Sequence, residues 1–236
     1  MVKSHTMIPL HDDNPTATPP VLTVALIVAC VLTFFWQLSL GAQLERMIYA
    51  FGVIPAVLLG DLALPEEIAR VAPPATVFTS MFLHGGWMHL IGNMLYLWIF
   101  GNNIEDAMGH ARFLVFYLLC GVAAALAQAL PDPQSTIPMI GASGAISGVL
   151  GAYLLLFPHA RVLVAIPLGF YLHTVRIKAG WVLGFWFVMQ LVSSLASAGQ
   201  QGGVAFGAHI GGFVAGMALL PLFKRHGVRY FHPGRS

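Results

Sequence analysis

The 236-residue chain carries 11 basic and 9 acidic residues, 8% in all, for a net charge of +2, and its mean hydropathy is +0.79. Soluble globular proteins carry about 25% charged residues, so this composition excludes a disordered chain, a collagen-like chain and an ordinary soluble domain. No Lys/Arg run precedes the C-terminal tail, which argues against nucleic-acid binding. The apolar runs are continuous rather than alternating, which argues against a transmembrane barrel.

The remaining class is all-α: a polytopic membrane protein with six transmembrane helices. Residues 1–20 are polar, contain Pro15, Pro19 and Pro20, and read as a loose cytoplasmic tail. A membrane domain is expected over 21–223. A spanning helix needs about 20 mostly apolar residues, and runs of that kind lie near 21–40, 85–104, 112–130, 141–157, 180–197 and 205–223. The first run exceeds a signal-peptide core and follows a polar tail, so a retained helix is expected. The connection over 41–78 is far longer than usual for helix pairs and reads as lying in the membrane interface. Residues 158–179 hold the apolar Val162–Ile166 stretch but also Pro167, Gly169, Arg176 and Lys178, and read as an interfacial hairpin on the cytoplasmic side. A basic cytoplasmic tail, 224–236, closes the chain. Cys30 and Cys120 each sit inside an apolar run and read as inert buried thiols rather than a disulfide framework.

With six spans, both tails share a side with the second and fourth loops. That side holds nine basic residues (Lys3, Arg112, Arg161, Arg176, Lys178, Lys224, Arg225, Arg229 and Arg235), whereas the other holds Arg46 and Arg70. The excess of positive charge places both termini in the cytoplasm. With no targeting extension in view, a cell (inner) membrane is expected over an organelle.

Polar residues inside spans point to function or to helix contacts. His89 and Asn93 open the second span four residues apart, on one helix face. Ser143 opens the fourth in Gly141-Ala142-Ser143-Gly144, at a helix N-terminus whose free N–H groups suit a developing oxyanion. His209 opens the sixth, and Gly212 and Gly216 share its face; Gly144, Gly148 and Gly151 give the fourth span a matching small-residue face. Those two helices are expected to pack closely, bringing Ser143 and His209 together. All four polar residues lie near starts of helices that run in the same direction, so they share a depth near the extracytoplasmic face. A nucleophile, a base and oxyanion donors form the set that acyl transfer needs. The nine acids all lie in tails, loops or span ends, so a Ser–His dyad is expected, with His209 held by packing instead of by a carboxylate. No zinc-protease His-Glu-x-x-His string occurs, and no metal or cofactor is called for.

The strings His84-Gly85-Gly86-Trp87-Met88-His89-Leu90-Ile91-Gly92-Asn93, Gly141-Ala142-Ser143-Gly144-Ala145-Ile146-Ser147-Gly148 and Ala208-His209-Ile210-Gly211-Gly212, in that order, resemble the rhomboid family of intramembrane serine proteases. The resemblance covers residues 45–220. It implies Ser143 as nucleophile, His209 as base and then acid, and Asn93, His89 and the Ser143 backbone N–H as the oxyanion hole. It implies structural roles for His84, for Gly101-Asn102-Asn103-Ile104-Glu105 and for Arg112-Phe113, a flexible cap over 198–207, and the fifth span as a gate. Membrane-protein substrates, single-span or polytopic, within the lipid bilayer are the implied partners. One departure is Ser147, where some members carry an aromatic that stacks on the base. Competing readings are a transporter using His89 and His209, a membrane acyltransferase or lipase using Ser143, and a non-catalytic chaperone of membrane proteins.

Overall fold

The computed structural model describes residues 8–168, 171–196 and 204–232. Its helices are α1 (Val21–Ser39), α2 (Leu44–Phe51), α3 (Pro55–Leu58), α4 (Pro73–Thr79), α5 (Trp87–Met108), α6 (His110–Ala129), α7 (Ser143–Leu156), α8 (Ala179–Ala196) and α9 (Phe206–Phe223). Helices stand at the places of all six expected runs, as α1 and α5 to α9, with ends displaced by a few residues. Four of these, α1, α6, α8 and α9, are long and apolar enough to cross a membrane; α7 is a shorter apolar helix of 14 residues.

The fold is mostly helical rather than all-α. Strands β1 (Ile8–Asp12), β2 (Arg161–Leu168) and β3 (Tyr171–Lys178) form an antiparallel sheet in that order. The expected hairpin is thus a β-hairpin, in register from Arg161 opposite Lys178 to Leu168 opposite Tyr171. The β-branched Val162 and Val164 turn inward from β2, as the strand period requires.

The N-terminal segment corrects the expectation of a loose tail, because β1 pairs along β2 and is anchored from both ends. Asp12 is buried and accepts a hydrogen bond from the Tyr153 hydroxyl of α7 at 2.6 Å. Burial pushes its carboxyl up to about 6, against the lowering effect of that bond. Further on, Asn103 Nδ2 donates to the Asn14 carbonyl and the Ala17 backbone N–H donates to Asp106 Oδ2.

The core forms around α7, of whose 14 residues eleven are buried. The small-residue faces of α7 and α9 meet as expected. A Cβ on Gly212 would collide with the Gly144 carbonyl oxygen, one on Gly216 with that of Gly148, and one on Gly151 with that of Phe213. Backbone therefore lies against backbone along the whole seam, which only glycine permits.

The second expected span is longer than its apolar run. α5 continues through Glu105 and Asp106 to Met108, and Gly109 with φ +83° turns the chain into α6. Glu105 is fully buried there for a specific reason. Its carboxylate accepts the Leu22 and Thr23 backbone N–H groups, both at 2.8 Å, and the Thr23 hydroxyl, and it pairs with His110. Pro20 supplies no side-chain cap to α1, so the open N–H groups of that helix are satisfied from α5, where the positive end of the helix dipole also favours a carboxylate. These two acids stand about 18 Å along the axis from Asn93, at the opposite end of α5.

Candidate functional site

Ser143 is the first residue of α7 and is delivered by a tightly held turn. Met139 pairs with Val53 in an isolated bridge, and the Gly141 N–H donates to the Ser80 carbonyl at 2.9 Å. Gly141 has φ +126°, a conformation closed to residues with a side chain. A Cβ there would also lie 2.7 Å from His89 Nε2 and 3.7 Å from Ser143 Oγ, so its hydrogen keeps open the space between those two groups.

The turn before α5 is held from α1: Gln37 donates to the His84 carbonyl and accepts the His84 N–H at 2.9 Å. The His84 Nδ1–H donates to the Phe82 carbonyl, and burial lowers its pKa to about 4, keeping this loop histidine neutral. It lies beside His89, with ring centroids 5.2 Å apart. His89 Nδ1 accepts the Gly85 N–H at 3.2 Å. The proton of a neutral His89 then sits on Nε2, the nitrogen that faces Gly141. One turn on, Asn93 is 8% exposed and its Nδ2 has no hydrogen-bond partner among the described residues. A buried unpaired donor is costly in a folded protein, and this one is left available to an acceptor that enters the site.

His209 lies in the first turn of α9, whose start is fixed by Gln128 of α6 accepting the Ala208 N–H at 3.1 Å. Its Nε2 lies 2.8 Å from Ser143 Oγ. Its Nδ1 lies 2.8 Å from Oε1 of Gln190 on α8. This corrects the expectation that packing alone holds the ring: an amide oxygen stands where a carboxylate would stand in a triad. The place of the missing aromatic is also filled from α8. Trp186 faces the His209 ring at 5.9 Å between centroids, while Ser147 turns away and donates to the Ser143 carbonyl.

The site therefore unites Ser143 with His209 and sets His89 across Gly141 from Ser143, with Asn93 one turn further along the same face of α5. Sequence reasoning missed Gln190 and Gln128; the signal available was an amide inside an otherwise apolar helix. Residues 198–203 of the expected cap lie outside the described residues. Among the described residues no group of His, Cys, Asp and Glu could hold a metal ion. A hydroxyl bonded to a neutral imidazole at a helix N-terminus, with vacant donors nearby, can act as a nucleophile on a carbonyl group.

The apolar helices and the glycine seam that joins two of them define a multi-pass membrane protein. The Rhomboid domain family matches residues 73–226, which include Ser143, His209, His89, Asn93 and Gln190. The rhomboid protease GluP of Bacillus subtilis is 32% identical over 201 residues, covering 85% of this chain and 35% of that protein. RHOMBOID-like protein 5 of Arabidopsis thaliana is 29% identical over 178 residues, 73% of this chain and 53% of the relative. Rhomboid-like protease 5 of Toxoplasma gondii is 32% identical over 145 residues, 60% of this chain and 15% of the relative. The chain belongs to the rhomboid family and spans about half or less of the length of these relatives.

Proposed function

We propose that this chain is an intramembrane serine endopeptidase that cuts membrane-protein substrates near the extracytoplasmic face, with six spans in a cell membrane and both termini in the cytoplasm. Ser143 Oγ attacks the substrate carbonyl carbon as its proton passes to His209 Nε2. The tetrahedral oxyanion is received by His89 Nε2–H, Asn93 Nδ2 and the Ser143 backbone N–H. His209 then gives its proton to the leaving nitrogen as the C–N bond breaks. Water attacks the resulting ester, His209 takes its proton, and the same proton returns to Ser143 as the acyl group departs.

The observation that carries this reading is the 2.8 Å approach of His209 Nε2 to Ser143 Oγ across the α7–α9 seam. The relatives named as proteases support the choice of reaction. The test is cleavage of a single-span protein in liposomes, with peptide and lipid products both measured. The wild type is expected to release two peptides and no lipid fragments, and Ser143→Ala to release neither. Cleavage that survives Ser143→Ala, or products from lipid alone, would overturn the reading.

A further inference from the structure

α8 is the outlier among the helices. It buries the smallest share of the four candidate spans, and Phe185, Val188, Val192 and Leu195 are exposed along it. Its buried side chains cluster at its start, at Ala179, Val182 and Leu183. Yet Trp186 and Gln190, four residues apart and so on one face, both meet His209. An amide is expensive to place in an apolar helix unless it has a partner.

We propose that Gln190 is the positioning residue for His209, so that the base is aligned only while α8 is docked against α9. This rests on the protease reading above. With Oε1 accepting, the proton of neutral His209 is held on Nδ1 and the Nε2 lone pair is left for the Ser143 hydroxyl. When His209 takes up a second proton, the Nδ1–H donor becomes cationic and the same bond strengthens. Gln190 thus favours the charged base that forms during attack, without bringing a permanent carboxylate into apolar surroundings. Ser143 and His209 sit on the two helices of the glycine seam, whereas Gln190 sits on neither. Displacement of α8 breaks the alignment and leaves the seam intact.

The test compares Gln190→Leu, which removes the acceptor at similar volume, with Gln190→Glu, which keeps one. The full chain in liposomes is used, with Ser143→Ala as the reference for no catalysis. Gln190→Leu is expected to lower kcat by about 100-fold, at the lower end of what general acid–base catalysis supplies, with KM changed less than twofold. Gln190→Glu is expected to restore kcat to within a few-fold of wild type. The Nδ1–H resonance of a 15N-labelled His209 is expected in the wild type and lost in Gln190→Leu. The proposal is overturned if Gln190→Leu keeps its kcat, if the loss falls on KM, if Gln190→Glu fails alongside it, or if the resonance is unaffected. If the protease reading itself fails, wild type and Ser143→Ala cleave alike, and the resonance still reports whether Gln190 holds the His209 tautomer.

Discussion

α9 has two neighbours that treat it in opposite ways. Toward α7 it presents Gly212 and Gly216, and carbonyl oxygens of α7 occupy the space where side chains would be. Toward α8 it presents the His209 and Phe213 rings, which meet the side chains of Trp186, Phe187 and Gln190. The first contact cannot slide without backbone collision. The second rests on ring contacts and one side-chain hydrogen bond. The proposed nucleophile and base lie across the first contact, and Gln190, proposed to aim the base, lies across the second.

Four substitutions probe this contrast and the packing around it, in falling order of expected effect. Asn93→Ala removes a buried donor of α5 that has no partner among the described residues. Loss of one oxyanion donor typically costs about 2.7–4 kcal/mol, so kcat is expected to fall by two to three orders of magnitude with little change in KM; an unchanged kcat would remove Asn93 from the oxyanion hole. Gly216→Ala inserts a methyl group against the Gly148 carbonyl. Overpacking costs about 1–3 kcal/mol, to be read as a lower unfolding midpoint in detergent, and a neutral result would show that the seam yields.

Asp12→Asn tests how β1 is fastened to the α7 side of the molecule. The folded pKa is raised from 3.8 to about 6, so the folded state holds this proton more tightly. The stability this supplies is fully present below about pH 4 and is lost as pH rises through about 6. The wild type is expected to lose about 1 kcal/mol from this group between pH 5 and pH 7, and Asp12→Asn to lose that part of the pH dependence. Equal pH profiles would contradict a buried, raised carboxyl. Smallest of all, Val188→Ala on the exposed face of α8 is expected to change stability by less than about 0.5 kcal/mol, and a loss comparable to that of Gly216→Ala would erase the contrast between the two contacts.

Much of this arrangement is legible in the sequence because the helices announce themselves by apolar length. The Gly144-Gly148-Gly151 and Gly212-Gly216 faces, read as a close contact, meet at hydrogen-for-side-chain distance. What escaped reading depends on partners remote in the chain. β1 is a five-residue stretch of a polar segment and becomes a strand only because β2, some 150 residues later, offers it an edge. Glu105 looks like a residue beyond the end of a span until α1 supplies three donors to its carboxylate. Ser143, His209, His89 and Asn93 stand out because polar groups are rare in such helices. Gln190 shares that rarity but lies in mid-helix, away from any recognisable string, so its contact with His209 emerges only once α8 is set beside α9.

The central claim is that Ser143 and His209 form a working nucleophile and base. A fluorophosphonate probe followed by peptide mapping tests it most directly, because the probe phosphonylates an activated serine whatever the natural substrate is. The account predicts a single adduct on Ser143 in the wild type, and none in His209→Ala at equal folded content. An adduct on Ser147 or another serine in place of Ser143, or undiminished labelling of Ser143 without His209, would contradict it.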